Sequence, residues 1–160
     1  VDQRLLLAGY RSSDLVLGRL LFLQVFALLI AGAYSVLLVA VSSAAAGPLI
    51  LAVLITALIG VPLGLALAAL LPRELEGTLA LIVVIGVQMG MPSSAAFAPA
   101  TPFYGPLKLI RAAWTGHGEI LPYFLHGLLV AAVLLVVAML LWSRGIAIRP
   151  PVTIAGLVTR

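Results

Sequence analysis

The chain has 160 residues, 64% of them hydrophobic and only 9% charged, whereas soluble domains run near 45–50% apolar and about 25% charged. A domain this short leaves roughly 30% of its unfolded surface exposed, so much of the apolar surface has to face lipid. The net charge of +4 comes from nine scattered Lys and Arg with no basic stripe, which excludes a nucleic-acid domain. The absence of Cys excludes a disulfide scaffold or thiolate metal site. No Gly-rich loop ends in Gly-Lys-Ser/Thr, so the chain carries no ATPase or kinase phosphate loop. The composition that remains is that of an all-α integral membrane protein.

Residues 4–8 are a short apolar helical run that Gly9 is suited to end in a left-handed cap. Ser12 or Ser13 can cap a new helix, with Asp14 in its first turn where the dipole favours an acid. The resulting corner suits an interfacial anchor held by Arg side chains, or a surface for a soluble partner.

A hydrocarbon core about 30 Å thick needs roughly 20 apolar residues of helix. Residues 20–41 carry no charge and read as the first span, too long for a signal-peptide core and without a cleavage site. A break over 42–48 follows, with Pro48 in the first turn of the next helix. The second span, 48–71, contains Pro62, which is expected to kink it. A third span over 74–92 is short and crosses only if helix begins near Pro72. The fourth, 121–142, is the clearest. Between the last two, Pro92, Pro99, Pro102 and Pro106 forbid a continuous helix. From Leu107 the pattern changes: Leu107, Ile110 and Trp114 share one helical face, Lys108, Arg111 and Thr115 another. A helix over about 105–116, ended by Gly116-His117-Gly118, is expected to lie on the outer leaflet or to re-enter under cover of protein.

Four spans put Arg4, Arg11, Arg19, Arg73, Arg144, Arg149 and Arg160 on one side and only Lys108 and Arg111 on the other. The excess predicts cytoplasmic N- and C-termini in a multi-pass cell-membrane protein. Trp142 is expected to anchor the inner interface, and Tyr104, Trp114 and Tyr123 the outer one.

No Asp, Glu, Lys, Arg or His occupies the middle of any span. Ion-coupled transporters and proton pumps place ionisable groups there, so uphill transport by this chain draws its energy from another polypeptide. The polar groups within spans are Gln24, Tyr34, Ser35, Thr56 and Gln88. They read first as interhelical hydrogen-bond partners, and Gln24, Tyr34, Thr56 and Gln88 are also the candidates for a substrate path. Gly60/Gly64 and Gly86/Gly90 have the Gly-x-x-x-Gly spacing of close helix packing. His117 and Glu119 alone do not make a metal site, and His126 reads as a buried or interfacial histidine. Ser93-Ser94 has no base at a recognisable spacing, while dipole stabilisation explains Glu74 and Glu76. No catalytic constellation and no cofactor site emerges.

The order of these pieces resembles the membrane-spanning subunit of ABC transporters with the type-2 exporter fold. Residues 4–19 look like the end of that family's cytoplasmic coupling helix and the entry to its third span. Residues 71–78 are similar to its second cytoplasmic loop, with the acid-rich turn. The Pro-rich outer segment is similar to its short re-entrant or external helices. The four spans then correspond to the last four of six, so a single permease domain, incomplete relative to the family, is expected. The resemblance implies a separate cytoplasmic ATPase that docks on Leu7, Tyr10, Arg11 and Asp14, with Arg73, Glu74 and Glu76 as further contacts, and a second permease copy or related chain. Enzymatic ATP hydrolysis is expected on the partner alone. The substrates implied are drugs, lipids or polysaccharides, the weakly polar spans favouring an amphipathic cargo. The competing expectations are a non-transporting four-span scaffold subunit and a passive channel, which would need a polar or charged ring along its path.

Overall fold

The computed structural model describes residues 12–71, 74–91 and 96–148. Every regular element among them is helical: α1 (Ser12–Val41), α2 (Ala46–Leu70), α3 (Glu74–Gly90), a 3₁₀ turn (Ala98–Ala100), α4 (Tyr104–Thr115) and α5 (Ile120–Ile148). Three of these contain stretches long and apolar enough to cross a membrane: Leu17–Val41, Ala46–Leu70 and Ile120–Trp142. Asp14 lies in the first turn of α1 as expected. Pro48 lies in the first turn of α2, where its missing N–H removes one unpaired donor.

The expected third span is where the structure departs from the sequence reading. Its helix has 17 residues, about 25 Å at 1.5 Å per residue, short of a hydrocarbon core of roughly 30 Å. Four continuous spans are therefore not what the described residues form. Gly90 and the Pro-rich stretch after it stop the helix before it is long enough.

The core is built on α2. In the apolar window of that helix 39% of residues are buried, against 11% in those of α1 and α5. Ala52, Ile55, Ile59, Pro62, Leu63 and Ala66 form its buried stripe, at the three- and four-residue spacings that keep one face turned inward. Pro62 sits within this stripe, inside the continuous helix. α1, α4 and α5 all pack on α2, while α3 touches it only lightly. Large side chains such as Phe22, Phe26, Leu29, Leu121 and Leu129 point away from the bundle, as expected of surface in contact with acyl chains.

Contacts at the two ends of α2 fix the direction of each helix. The Ala45 N–H, at the start of α2, donates to the Ala113 carbonyl at the end of α4 (2.8 Å). At the other end of α4, Gly105 lies against the α5 backbone at Tyr123 and Gly127, and Gly127 in turn lies against Ile55. Thus α4 runs antiparallel to α2 along its first ten residues. Near the Leu70 end, the Trp142 indole N–H donates to the Leu65 carbonyl (2.8 Å) and the Arg19 guanidinium stands 5.5 Å from the Trp142 ring centre. So α1 starts, and α5 ends, at the Leu70 end of α2. α3 starts there too and runs back until Gln88 meets Phe103, the residue preceding α4. Consequently α3 and α4 run in the same direction, one after the other, beside α2.

The face that α4 buries is neither of the two that the sequence pattern sets apart. Gly105, Pro106, Leu109, Ala112 and Ala113 are buried, whereas Leu107, Lys108 and Ile110 are half-buried and Arg111, Trp114 and Thr115 are exposed. Small residues permit the closest backbone approach between helices in lipid, and Gly105, Ala112 and Ala113 are the small residues of this face. The helix ends as read: Gly116 adopts φ 67°, the left-handed region, and its N–H donates to Ala112.

The same reasoning separates the glycines. A Cβ added at Gly60, Gly64, Gly86 or Gly90 meets nothing within 4 Å, so neither Gly-x-x-x-Gly pair brings helices of this chain together. A Cβ at Gly105 would lie 2.5 Å from the Tyr123 carbonyl oxygen, and one at Gly127 would run into Ile55. Gly105→Ala is expected to cost about 1–3 kcal/mol, because helix backbone must move to admit the methyl group. Gly86→Ala should be neutral or stabilise by up to about 1 kcal/mol. Thermal unfolding of the two variants in neutral detergent separates them; coincident transitions would refute the close approach.

Candidate functional site

The junction of α3 and α4 concentrates the polar chemistry of the chain. Gln88, in the last turn of α3, is 5% exposed. Its Oε1 accepts the Phe103 N–H at 3.1 Å. That N–H is one of the unpaired donors that every helix start presents, so Gln88 caps α4 from another helix. A further donor is removed by Pro106, which sits in the first turn of α4 without an N–H.

Because an N–H bonds only to an acceptor, the Phe103 contact fixes which end of the Gln88 amide is oxygen. The remaining Nε2 carries two donor protons, is buried and has no partner among the described residues. Gln88 borders a cleft of about 120 Å³, whose lining also includes Met89 of α3, Thr101 of the connecting segment, and Tyr104, Lys108 and Arg111 of α4. The spacing of 104, 108 and 111 puts these three on one face. The Lys108 ammonium stands 5.5 Å from the Tyr104 ring centre, a cation–π separation.

A second set of contacts holds the cleft wall in place. Tyr104 meets Tyr123 edge to face, centroids 6.0 Å apart at 73°, and His126 at 5.5 Å and 70°. His126 Nε2 is 2.7 Å from the Pro99 carbonyl; since the carbonyl only accepts, Nε2 carries the proton. His126 therefore ties α5 to the connecting segment rather than standing as an isolated interfacial histidine. Tyr104 and Tyr123, expected as interface anchors, serve this junction as well, and Trp114 is the exposed one of the three.

Of the four path candidates, only Gln88 reaches the cleft. Gln24 Nε2 donates across to the Ala57 carbonyl of α2 (3.3 Å), an interhelical bond as read from the sequence. Thr56 and Ser35 instead donate within their own helices, to Ala52 (2.7 Å) and Gly32 (2.8 Å). Tyr34 is 55% exposed and turned outward. The four do not line one continuous route.

Of the docking candidates, Asp14 and Glu76 stand in the opening turns of α1 and α3, and Glu74 begins α3. All three lie at the Leu70 end. Leu7, Tyr10, Arg11 and Arg73 lie outside the described residues. His117 Nδ1 contacts the Thr115 carbonyl at 2.7 Å, a local loop bond, and the described residues contain no group of three or more possible metal ligands.

No family model matches the chain, and neither a curated protein nor a solved structure does. The sequence reading named Gln88 but missed its pairing with Phe103, and it read Lys108 and Arg111 as one face of a helix and as the outer cations, not as part of a site. The available signal was the Pro-interrupted pair of short apolar segments, a pattern that marks discontinuous helices and the sites they form.

Gln88→Leu keeps the bulk of the side chain but leaves the Phe103 N–H without its acceptor. It is expected to raise amide exchange at Phe103 about tenfold while leaving helix content unchanged. Unaltered exchange at that amide would mean that Gln88 does not cap α4.

Proposed function

We propose that this chain is the membrane-spanning part of an ATP-driven exporter of the type-2 ABC class, driven by a separate cytoplasmic ATPase. The observation that carries the reading is the succession of α3 and α4 beside α2. Together they form a fourth crossing made in two pieces, with α4 as the re-entrant piece that the sequence resemblance anticipates before the last span. Irregular backbone at membrane depth is tolerated where protein covers it or where it lines a cavity, and Ala98 and Thr101 of the connecting segment line the cleft at the α3–α4 junction.

The placement of charge supports the same reading. Asp14, Arg19, Glu74 and Glu76 all fall near the Leu70 end, and the middles of α1, α2 and α5 carry no ionisable side chain. A chain without a proton or ion relay depends on an external engine. The first turns of α1 and α3 would offer that engine a common surface, with Leu7, Tyr10, Arg11 and Arg73 completing it. The Leu70 end is then cytoplasmic, with both termini on that side in the cell membrane. A second copy or a related permease chain would complete the translocation path.

Two measurements test this. With no native Cys, Glu76→Cys and His117→Cys each give a single-thiol protein. In oriented membrane vesicles an impermeant maleimide is expected to reach position 76 only from the cytoplasmic face and position 117 only from the opposite one; labelling of both from one face would overturn the topology. Affinity purification from native membranes is expected to bring down an ATPase subunit, and the double variant Tyr10→Ala, Arg11→Ala to lower its recovery about tenfold with helix content unchanged. Undiminished recovery removes the docking assignment.

A further inference from the structure

We infer that the cleft at the α3–α4 junction is a binding site for the head group of an anionic amphiphile, a phosphate or carboxylate carried on an acyl tail. The unsatisfied group in the cleft decides the sign of the ligand. Gln88 is 5% exposed, and its Nε2 is a buried donor with no partner among the described residues. A buried unpaired donor is destabilising, and an acceptor-bearing ligand removes that cost. Lys108 and Arg111, the only cations expected on their side of the membrane, border the same cleft. α4 adds the positive end of its helix dipole. Gln88, Lys108, Arg111 and the first turn of α4 thus border one small volume, and the described cleft lining contains no carboxylate.

The surroundings specify the rest of the molecule. The cleft wall formed by Met89 continues onto the outward face of α3, where Ile82, Val83, Val87 and Met89 are 58–76% exposed. A ligand whose head occupies the cleft has an apolar surface beside it for a tail. A soluble anion would gain nothing from that face. The two long cationic stems also suit a level below the head-group region, from which their charges reach upward. Such a site would hold its ligand whether or not an ATPase drives the chain.

The test uses the full chain purified in neutral detergent, titrated with dioctanoyl phosphatidylglycerol, dioctanoyl phosphatidylcholine and glycerol phosphate. Phosphatidylglycerol is expected to bind about tenfold more tightly than phosphatidylcholine, the worth of one charge-assisted hydrogen bond, and glycerol phosphate not to saturate over the same range. Gln88→Leu and Lys108→Gln should each weaken phosphatidylglycerol binding about five- to tenfold and leave phosphatidylcholine binding unchanged. Arg19→Gln, at the opposite end of the bundle, should change neither. Lys108 is half-buried rather than core, so Lys108→Gln reports even if Gln88→Leu unfolds. Equal affinity for the two lipids, or phosphatidylglycerol binding that survives Lys108→Gln, overturns the site. Glycerol phosphate binding as tightly as phosphatidylglycerol overturns the amphiphile and leaves a soluble anion.

Discussion

The contact on which the rest of this structure depends is the one between Gly105, Gly127 and Ile55. Helices in lipid have no hydrophobic driving force pressing them together, so close van der Waals approach and interhelical hydrogen bonds must hold them. At this point α4 and α5 meet backbone to backbone, and α5 closes on the buried stripe of α2. Without it, the first turn of α4 would not sit at the level of Ile55. Gln88 would then have no helix start to cap, and the Tyr104, Tyr123 and His126 rings would not assemble. The far end of the bundle has a separate fastening, in which Arg19, Trp142 and the Leu65 carbonyl join three helices.

The fold was legible in the sequence wherever length and apolar content decided it. α1, α2 and α5 follow from uncharged runs of more than 20 residues, and the ends of α4 from the proline spacing and Gly116. What could not be read was which residues meet. Gly-x-x-x-Gly is a local spacing, but close approach is a relation between two helices. The glycines that matter, 105 and 127, belong to different helices and have no spacing in common. The buried face of α4 was not legible for a related reason: amphipathicity ranks residues by polarity, while packing among lipid-embedded helices favours small ones. The pattern set Leu107, Ile110 and Trp114 apart from Lys108, Arg111 and Thr115, and the buried face runs through Gly105, Leu109, Ala112 and Ala113 instead.

The candidate site was half legible. Gln88 stood out as a polar residue in an apolar helix, and Lys108 and Arg111 as charges outside the spans. Their convergence follows only from α3 and α4 lying in sequence along α2, which depends on contacts from Gln88 to Phe103 and from Ala45 to Ala113, far apart in the chain. A shortfall in span length proved the most useful departure, since a helix too short to cross by itself invites a second piece to continue it.

The loose seating of α3 has a mechanical meaning. Its middle turns carry large outward side chains and little contact with the bundle, so it is a strut pinned at its two ends. At its start it follows α2 after a short connection, and near its end the Phe103 N–H donates to Gln88. Along roughly 25 Å of helix its outward face is left to lipid, and Met89 belongs both to that face and to the cleft wall.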